Sequence, residues 1–383
     1  MDLDLYADRA LHDSREVFAR IREAGPAVWL PKHRMYAMGR FEDVRAALRD
    51  DITFVSGRGV AANPIVNIAG RGTTLFSDGE QHNARRRVLK ESLGPKPLRG
   101  ISARVDREAE RVVDALVGRR GFDAVAEFSS RLPVTVVAEL VGLGDSAERL
   151  LRWAAATFDG LGPMNRRGLA GAPTSLGMVM RSLTLTRRSV RPGSWGASVF
   201  DARDRGDISS REARMLIIDF VAPALDTTIL ASTHLLWALA HSPEAWEQIV
   251  ADPSLIGAAV VENVRIASPI RGFTRYVAAD TEVGGVSIPR GSRVAMLYGA
   301  ANLDETRFPD PERFDIHRRG NAHLGWGNGP HACAGSGLAK LEMQALLKAM
   351  VPRVSRVSVE RPVRLRNNTL QGFSGLTASM VAA

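Results

Sequence analysis

Cysteine is almost absent: Cys333 is the single one among 383 residues. No disulfide can form within the chain, which suits a reducing cytoplasm, and no four-thiolate zinc or iron–sulfur site can be assembled. Linkers are missing too. There is no Pro/Ser-rich stretch, acidic tract, repeat or low-complexity run, so residues 1–383 read as one compact, mostly helical domain with no fused reductase or ferredoxin unit. Its 45% hydrophobic content is enough for a sizeable interior. The N-terminal Met-Asp-Leu-Asp-Leu-Tyr-Ala-Asp-Arg is polar and acidic, unlike a signal peptide or an anchor helix, so no membrane partner is expected. The formal charge is +9, yet the arginines are scattered and no aromatic-plus-basic motif accompanies them. Nucleic acid is therefore not an expected partner. A basic face for an acidic protein is, with Arg85, Arg87, Lys90, Lys340 and Lys348 as candidates.

What is present centres on that one thiol, in Trp326-Gly327-Asn328-Gly329-Pro330-His331-Ala332-Cys333-Ala334-Gly335. Glycines and a proline around the sulfur dictate a tight turn. Leu338, Leu341, Leu346 and Leu347 then recur at helical spacing, which places Cys333 just before a helix start, where free N–H groups favour a thiolate. A lone cysteine is often only a small buried hydrophobe. As a metal ligand it would suit a cofactor that brings four nitrogens of its own, and haem is that cofactor.

Along the chain, Ser14 caps a helix carrying Val17, Phe18 and Ile21, and Val28 to Met38 alternate like a hairpin. Phe41, Val44 and Leu48 mark another helix, and residues 52–80 lose periodicity and read as a long functional or mobile loop. His82 and Arg86 share a helix face. Helices follow from about 98 to 205, with a Gly-rich break near Gly160 to Gly171 that carries Phe158, Leu161 and Met164. A long apolar helix over about Ser209 to Ala240 opens with a Ser209/Glu212 capping box and is interrupted at Pro223, which has no N–H to give Asp219. Just beyond lie Asp226, Thr227 and Thr228, polar groups in apolar surroundings that need a polar counterpart. Glu262 and Arg265 lie on a helix ending at Ser268-Pro269, and short strands are expected over 277–297 and 354–381.

The cysteine run resembles the haem-ligand loop of the cytochrome P450 family: an aromatic residue, Gly, a basic residue, Cys and Gly at its spacing, filled here by Trp326, Gly329, His331, Cys333 and Gly335. The family usually has Phe where Trp326 stands, and an indole there is expected to lie against the sulfur and shift the iron potential. Further motifs of this family occur in order from His82 to Phe373. The resemblance implies a mainly α fold with small β-sheets and haem b (iron protoporphyrin IX) between a long central helix and the cysteine loop. It implies Cys333 as the iron ligand, and His82, Arg86, Arg275 and His331 around the haem propionates. Asp226 and Thr227 fall on the family's acid–alcohol pair, which guides protons to dioxygen, although Pro223-Ala224 replace its usual small residue and Gly. Glu262, Arg265 and Arg313 are expected as a buried cluster supporting the thiolate loop. Ile270, Phe273 and Phe373 are expected in the substrate pocket, where Arg58, Arg71 and Arg271 either pair with a substrate carboxylate or face solvent.

The activity so implied is a soluble, cytoplasmic haem-thiolate monooxygenase that uses dioxygen on a small, mostly apolar substrate, with electrons from a ferredoxin and its reductase. Oxidative coupling or tailoring of a natural product stays open, as does a non-catalytic haem-binding or gas-sensing role.

Overall fold

The computed structural model describes residues 3–383. Helices dominate, with three small sheets among the described residues. A five-stranded sheet runs in the order 28–30, 35–38, 293–296, 273–277, 54–55, with one parallel pairing, between Met35–Met38 and Arg293–Met296. The expected hairpin over 28–38 is its edge, Val28 facing Ala37 and Leu30 facing Met35. The C-terminal strands Val354–Arg364 and Phe373–Ala382 pair with each other, and Phe122–Asp123 joins them.

Two helices in line form the middle of the molecule. The first, Ser210–Val221, begins as its sequence dictates: Ser209 Oγ accepts the Glu212 N–H at 3.3 Å and Glu212 Oε2 accepts the Ser209 N–H at 2.8 Å. At Pro223 the hydrogen-bond ladder fails, residues 222–225 form a turn, and the second helix starts afresh as Asp226–His241. Together they are apolar enough over Ser210–His241 to cross a membrane by length and composition, but 67% of that window is buried inside the protein. Side chains pin the second helix in place: Asn263 gives its amide to the Ala231 carbonyl at 2.9 Å and meets His234 Nδ1 at 2.8 Å. Ser14 precedes the helix Arg15–Ala24 as expected, but its hydroxyl does not cap it; it donates to the Ala10 carbonyl and accepts from Arg271 Nε.

The thiolate-loop support exists, with one partner different from the expected one. Glu262, wholly buried, receives Arg265 Nε and Nη2 at 2.8 Å each, Asn321 Nδ2 at 2.8 Å, Arg318 Nε at 3.0 Å and the Asp315 N–H at 3.2 Å. Arg313 is exposed and gives Glu262 nothing. The reason is local. Asp310 turns the chain with a left-handed φ of 48°, and Arg318, five residues after Arg313, reaches Glu262 while its Nη1 holds the Pro309 carbonyl at 2.7 Å. From this cluster a chain of bonds leads to the cysteine loop. Arg265 Nη1 holds the Asn302 carbonyl at 2.7 Å, and Asn302 Oδ1 accepts the Leu324 N–H at 2.7 Å, two residues before Trp326.

Removing either arginine strands a buried carboxylate. Arg265→Ala and Arg318→Ala should each lower unfolding stability by about 3–5 kcal/mol and sharply reduce haem content, whereas Arg313→Ala should change stability by less than about 0.5 kcal/mol. Denaturant unfolding with pigment-to-protein ratios distinguishes these; an Arg313 effect as large as that of Arg318 would contradict the assignment.

Candidate active site

The cysteine loop is built for one conformation. Gly327 and Gly329 both take φ of +68°, and a Cβ on Gly329 would meet the Leu48 carbonyl oxygen at 2.3 Å, so that turn admits glycine only. The Cys333 N–H donates to the Trp326 carbonyl at 2.8 Å, closing the loop, and the helix Ser336–Met350 follows immediately. Cys333 lies deep in the fold, yet its side chain is open, because it faces an internal cavity of about 440 Å³. Burial pushes its thiol up, against the Gly335 and Ser336 amides and the charges of Arg86 and Lys340, which favour the thiolate. The expected thiolate preference of the helix start is therefore present but outweighed, and a metal cation would reverse the balance.

Trp326 is on the cavity wall, but its indole is not tied to the sulfur. The ring lies under Lys340 Nζ, 4.4 Å from its centroid, and beside His323 at 4.9 Å. Its link to Cys333 is through the backbone.

His82 and Arg86 occupy one face of the helix Gly79–Leu93, as their spacing requires. Arg86 Nη2 donates to the Ala332 carbonyl, tying this helix to the cysteine loop, and its side chain lines the cavity. The His82 and His331 rings lie 4.2 Å apart. Burial drives His82 down to about 4, aided by the His331 and Arg86 charges, and burial likewise lowers His331 despite Asp78, whose Oδ1 is 3.6 Å from Nε2. Both Nε2 atoms are buried without a hydrogen-bond partner. Arg275 is buried, donates Nη1 to the Thr274 carbonyl at 2.9 Å, and its charge adds to the lowering of His331. Of these four, Arg86 and His331 line the same cavity as the thiol, while His82 and Arg275 are not on its wall and stand near His331. The unpartnered imidazole nitrogens and the guanidinium charges form a donor set that fits an iron porphyrin bearing carboxylates.

Pro223, Ala224, Thr227 and Thr228, at the helix break, line the same cavity. Thr227 Oγ1 donates to the Pro223 carbonyl at 2.7 Å, so the hydroxyl occupies the gap that proline opens. Asp226 is not on the cavity wall. It lies behind Thr227 in sequence, largely buried, with Oδ2 unpartnered, and burial pushes it up to about 7.

Ile270 and Phe273 line the cavity as expected, along with Phe158 and Leu161 from the last turn of the helix Ala147–Leu161 and Met164 from the break that follows it, which is confined to 162–165. Phe373 does not. It is fully buried against Trp237 at 5.0 Å and beneath Arg364, and Leu370 fills the neighbouring position beside Phe158 and Leu161. Arg271 holds neither substrate nor solvent: it is buried and donates to Ser14 Oγ and to the Leu5, Ala10 and Asn368 carbonyls. Arg58 stacks on Tyr276, and Arg71 is exposed. Of the basic-face candidates, Arg85 is buried against Glu212 and the Thr73 carbonyl, whereas Arg87, Lys90 and Lys348 are exposed. Two residues escaped the sequence reading, Arg318 and the cavity-lining Asp219. A lone acid between Ile218 and Phe220 is the same signal that singled out Asp226.

The Cytochrome P450 family model matches residues 196–369. Cytochrome p450 CYP199A2 of Rhodopseudomonas palustris is 33% identical over 370 residues, covering 95% of this chain and 90% of that one. This chain belongs to the cytochrome P450 family. Linalool 8-monooxygenase of Pseudomonas putida is 29% identical, with 99% of this chain and 97% of that one covered. Among solved structures, Mycobacterium marinum CYP268A2 in complex with pseudoionone superposes with a TM-score of 0.85 at 27% identity, over 98% of this P450 and 95% of that one. The family's cofactor is a haem whose iron takes a cysteine thiolate, and this P450 is a monooxygenase.

Because Asp226 in the fold protonates near 7 rather than at the ordinary 3.8, the folded state holds more protons between those values. Its contribution to stability is therefore full below pH 4 and is lost as pH rises through 7. Wild-type unfolding free energy should fall over that window, and Asp226→Asn should remove part of the fall, at most about 4 kcal/mol. An unchanged slope in the variant would show that Asp226 is not held protonated.

Proposed function

We propose that this P450 binds haem b with Cys333 as the iron ligand and inserts one oxygen atom into a small, mostly apolar substrate. The observation that carries this reading is that one cavity is lined both by an open cysteine side chain and by a threonine whose hydroxyl is lodged in a helix break. Arg86, Arg275, His82 and His331 would hold the propionates, with Trp326, Gly335 and neighbouring loop backbone against the ring. Bound there, the haem supplies the activation of dioxygen.

The chain's own residues supply placement and protons. Thr227 Oγ1 is held by the Pro223 carbonyl and can turn its proton into the cavity when that bond is released. Asp226, near half-protonated at neutral pH, can return a proton to that hydroxyl. Ala224 adds a methyl group at the break, but the turn at 222–225 displaces the backbone there, so the hydroxyl stays on the wall. Ile65, Leu75, Phe158, Leu161, Ile270 and Phe273 give apolar surface that favours hydrocarbon and excludes water. Linalool 8-monooxygenase and the methyl-branched lipid omega-hydroxylase of Mycobacterium tuberculosis, 28% identical, are relatives whose names describe apolar substrates.

Electrons would come from a ferredoxin and its reductase. Exposed Arg87 and Lys90 lie on the helix that Arg86 ties to the cysteine loop, and Lys348 lies on the helix after it, a positive surface suited to an acidic carrier. A single cysteine allows no disulfide within the chain, which suits a cytoplasmic site of action.

Thr227→Val keeps the side-chain shape and removes the hydroxyl. With an apolar substrate that shifts the haem spin state, product formed per electron consumed should fall by roughly tenfold or more, with electron consumption continuing as peroxide. Coupling as tight as wild type would contradict the role given to Thr227.

A further inference from the structure

The cavity wall is mostly apolar, but a carboxylate interrupts it. Asp219 projects from the helix Ser210–Val221 onto the wall, between Ile218 and Phe220, which also line it. The structure gives its carboxylate one hydrogen bond among the described residues, from the Thr74 N–H to Oδ2 at 2.7 Å. The Thr74 hydroxyl lies on the same wall, buried and without a partner. Neither nearby guanidinium is bonded to Asp219. Arg85 is taken by Glu212, at 3.0 and 2.8 Å, and by the Thr73 carbonyl at 3.0 Å; Arg86 donates to the Ala332 carbonyl and faces the edge where carboxylates of the cofactor are expected. Burial pushes Asp219 up to about 6, against the nearby Thr74 amide and hydroxyl and the two arginine charges, so it is mostly ionised at neutral pH. An anion in an apolar cavity with so few donors is poorly compensated. What enters the cavity is positioned to complete it.

We propose that Asp219 and the Thr74 hydroxyl form a substrate subsite that holds the protonated amine of an otherwise apolar molecule. This deepens the monooxygenase reading and rests on it. Asp219 and Thr227 stand on the two sides of the break at 222–225 and both line the one cavity, so an ammonium bound at Asp219 leaves the hydrocarbon end to reach toward Thr227. Ammonium donates to the carboxylate and to the threonine oxygen together, and an apolar body fills the remaining wall. A substrate carboxylate would instead be repelled.

The test uses the haem-loaded protein and phenylbutyl compounds ending in ammonium, methyl or carboxylate, titrated by the Soret spin-state shift. The ammonium compound should bind at least tenfold more tightly than the methyl and carboxylate compounds, with the shift of a displaced water rather than of nitrogen bound to iron. Asp219→Asn keeps an oxygen for the Thr74 N–H and removes the charge; the ratio of ammonium to methyl affinity should collapse to near one. Thr74→Val, which leaves the carboxylate in place, should lower that ratio several-fold and carries the test should the Asp219 variant fail to load haem. Equal affinities in wild type, tighter carboxylate binding, nitrogen bound to iron, or a ratio that both loaded variants retain would overturn the subsite. A protein that shows a thiolate-ligated haem with any of those results loses the subsite alone; one without thiolate ligation loses the monooxygenase reading and the subsite with it.

Discussion

The Glu262 carboxylate, with no surface of its own exposed, is the constraint that the functional end of the molecule depends on. An isolated carboxylate there would be intolerable, and five hydrogen bonds from four residues make it tolerable. Those donors come from distant parts of the chain: the helix Ile256–Ala267 and the irregular segment 303–325. Satisfying one charge therefore forces a long loop without regular structure into a single shape. Through Asn302 that shape reaches Leu324 and then the glycine turns that present Cys333. An irregular backbone can hold a metal ligand in place only when such bonds over-determine it.

A proline makes the complementary feature. Continuous helix would have hidden every carbonyl between Ser210 and His241, leaving a smooth apolar wall. Pro223 has no N–H for the Asp219 carbonyl and breaks the ladder, and within the turn that results the Thr227 hydroxyl donates to the Pro223 carbonyl. Asp226 then starts a new helix with a carboxyl oxygen unsatisfied. Polar groups needed for proton movement thus stand in the apolar centre without destroying it, because the interruption spans only residues 222–225 and the helices on both sides stay packed.

Much of this was legible in the residues alone. Capping boxes, prolines and glycines act locally, so the Ser209 start, the Pro223 break and the cysteine turn could all be placed from sequence. That His82 and Arg86 share a helix face followed from their spacing. Tertiary choices could not be read the same way. Arg313 and Arg318 are both basic residues in one irregular segment, and only the turn at Asp310 decides which reaches Glu262. Phe373 and Leu370 are both apolar and close in sequence, and strand register decides that Phe373 packs on Trp237 while Leu370 joins the cavity-side cluster. Arg271 looked available because its partners are backbone carbonyls from remote segments, which leave no mark in a sequence.

The account stands on Cys333 as a thiolate ligand to haem iron, and one spectrum addresses it directly. The purified, pigment-loaded protein, reduced under carbon monoxide, should show the strongly red-shifted Soret band of thiolate-ligated haem. A Soret band at the shorter wavelength of histidine-ligated haem, in folded protein, would contradict it.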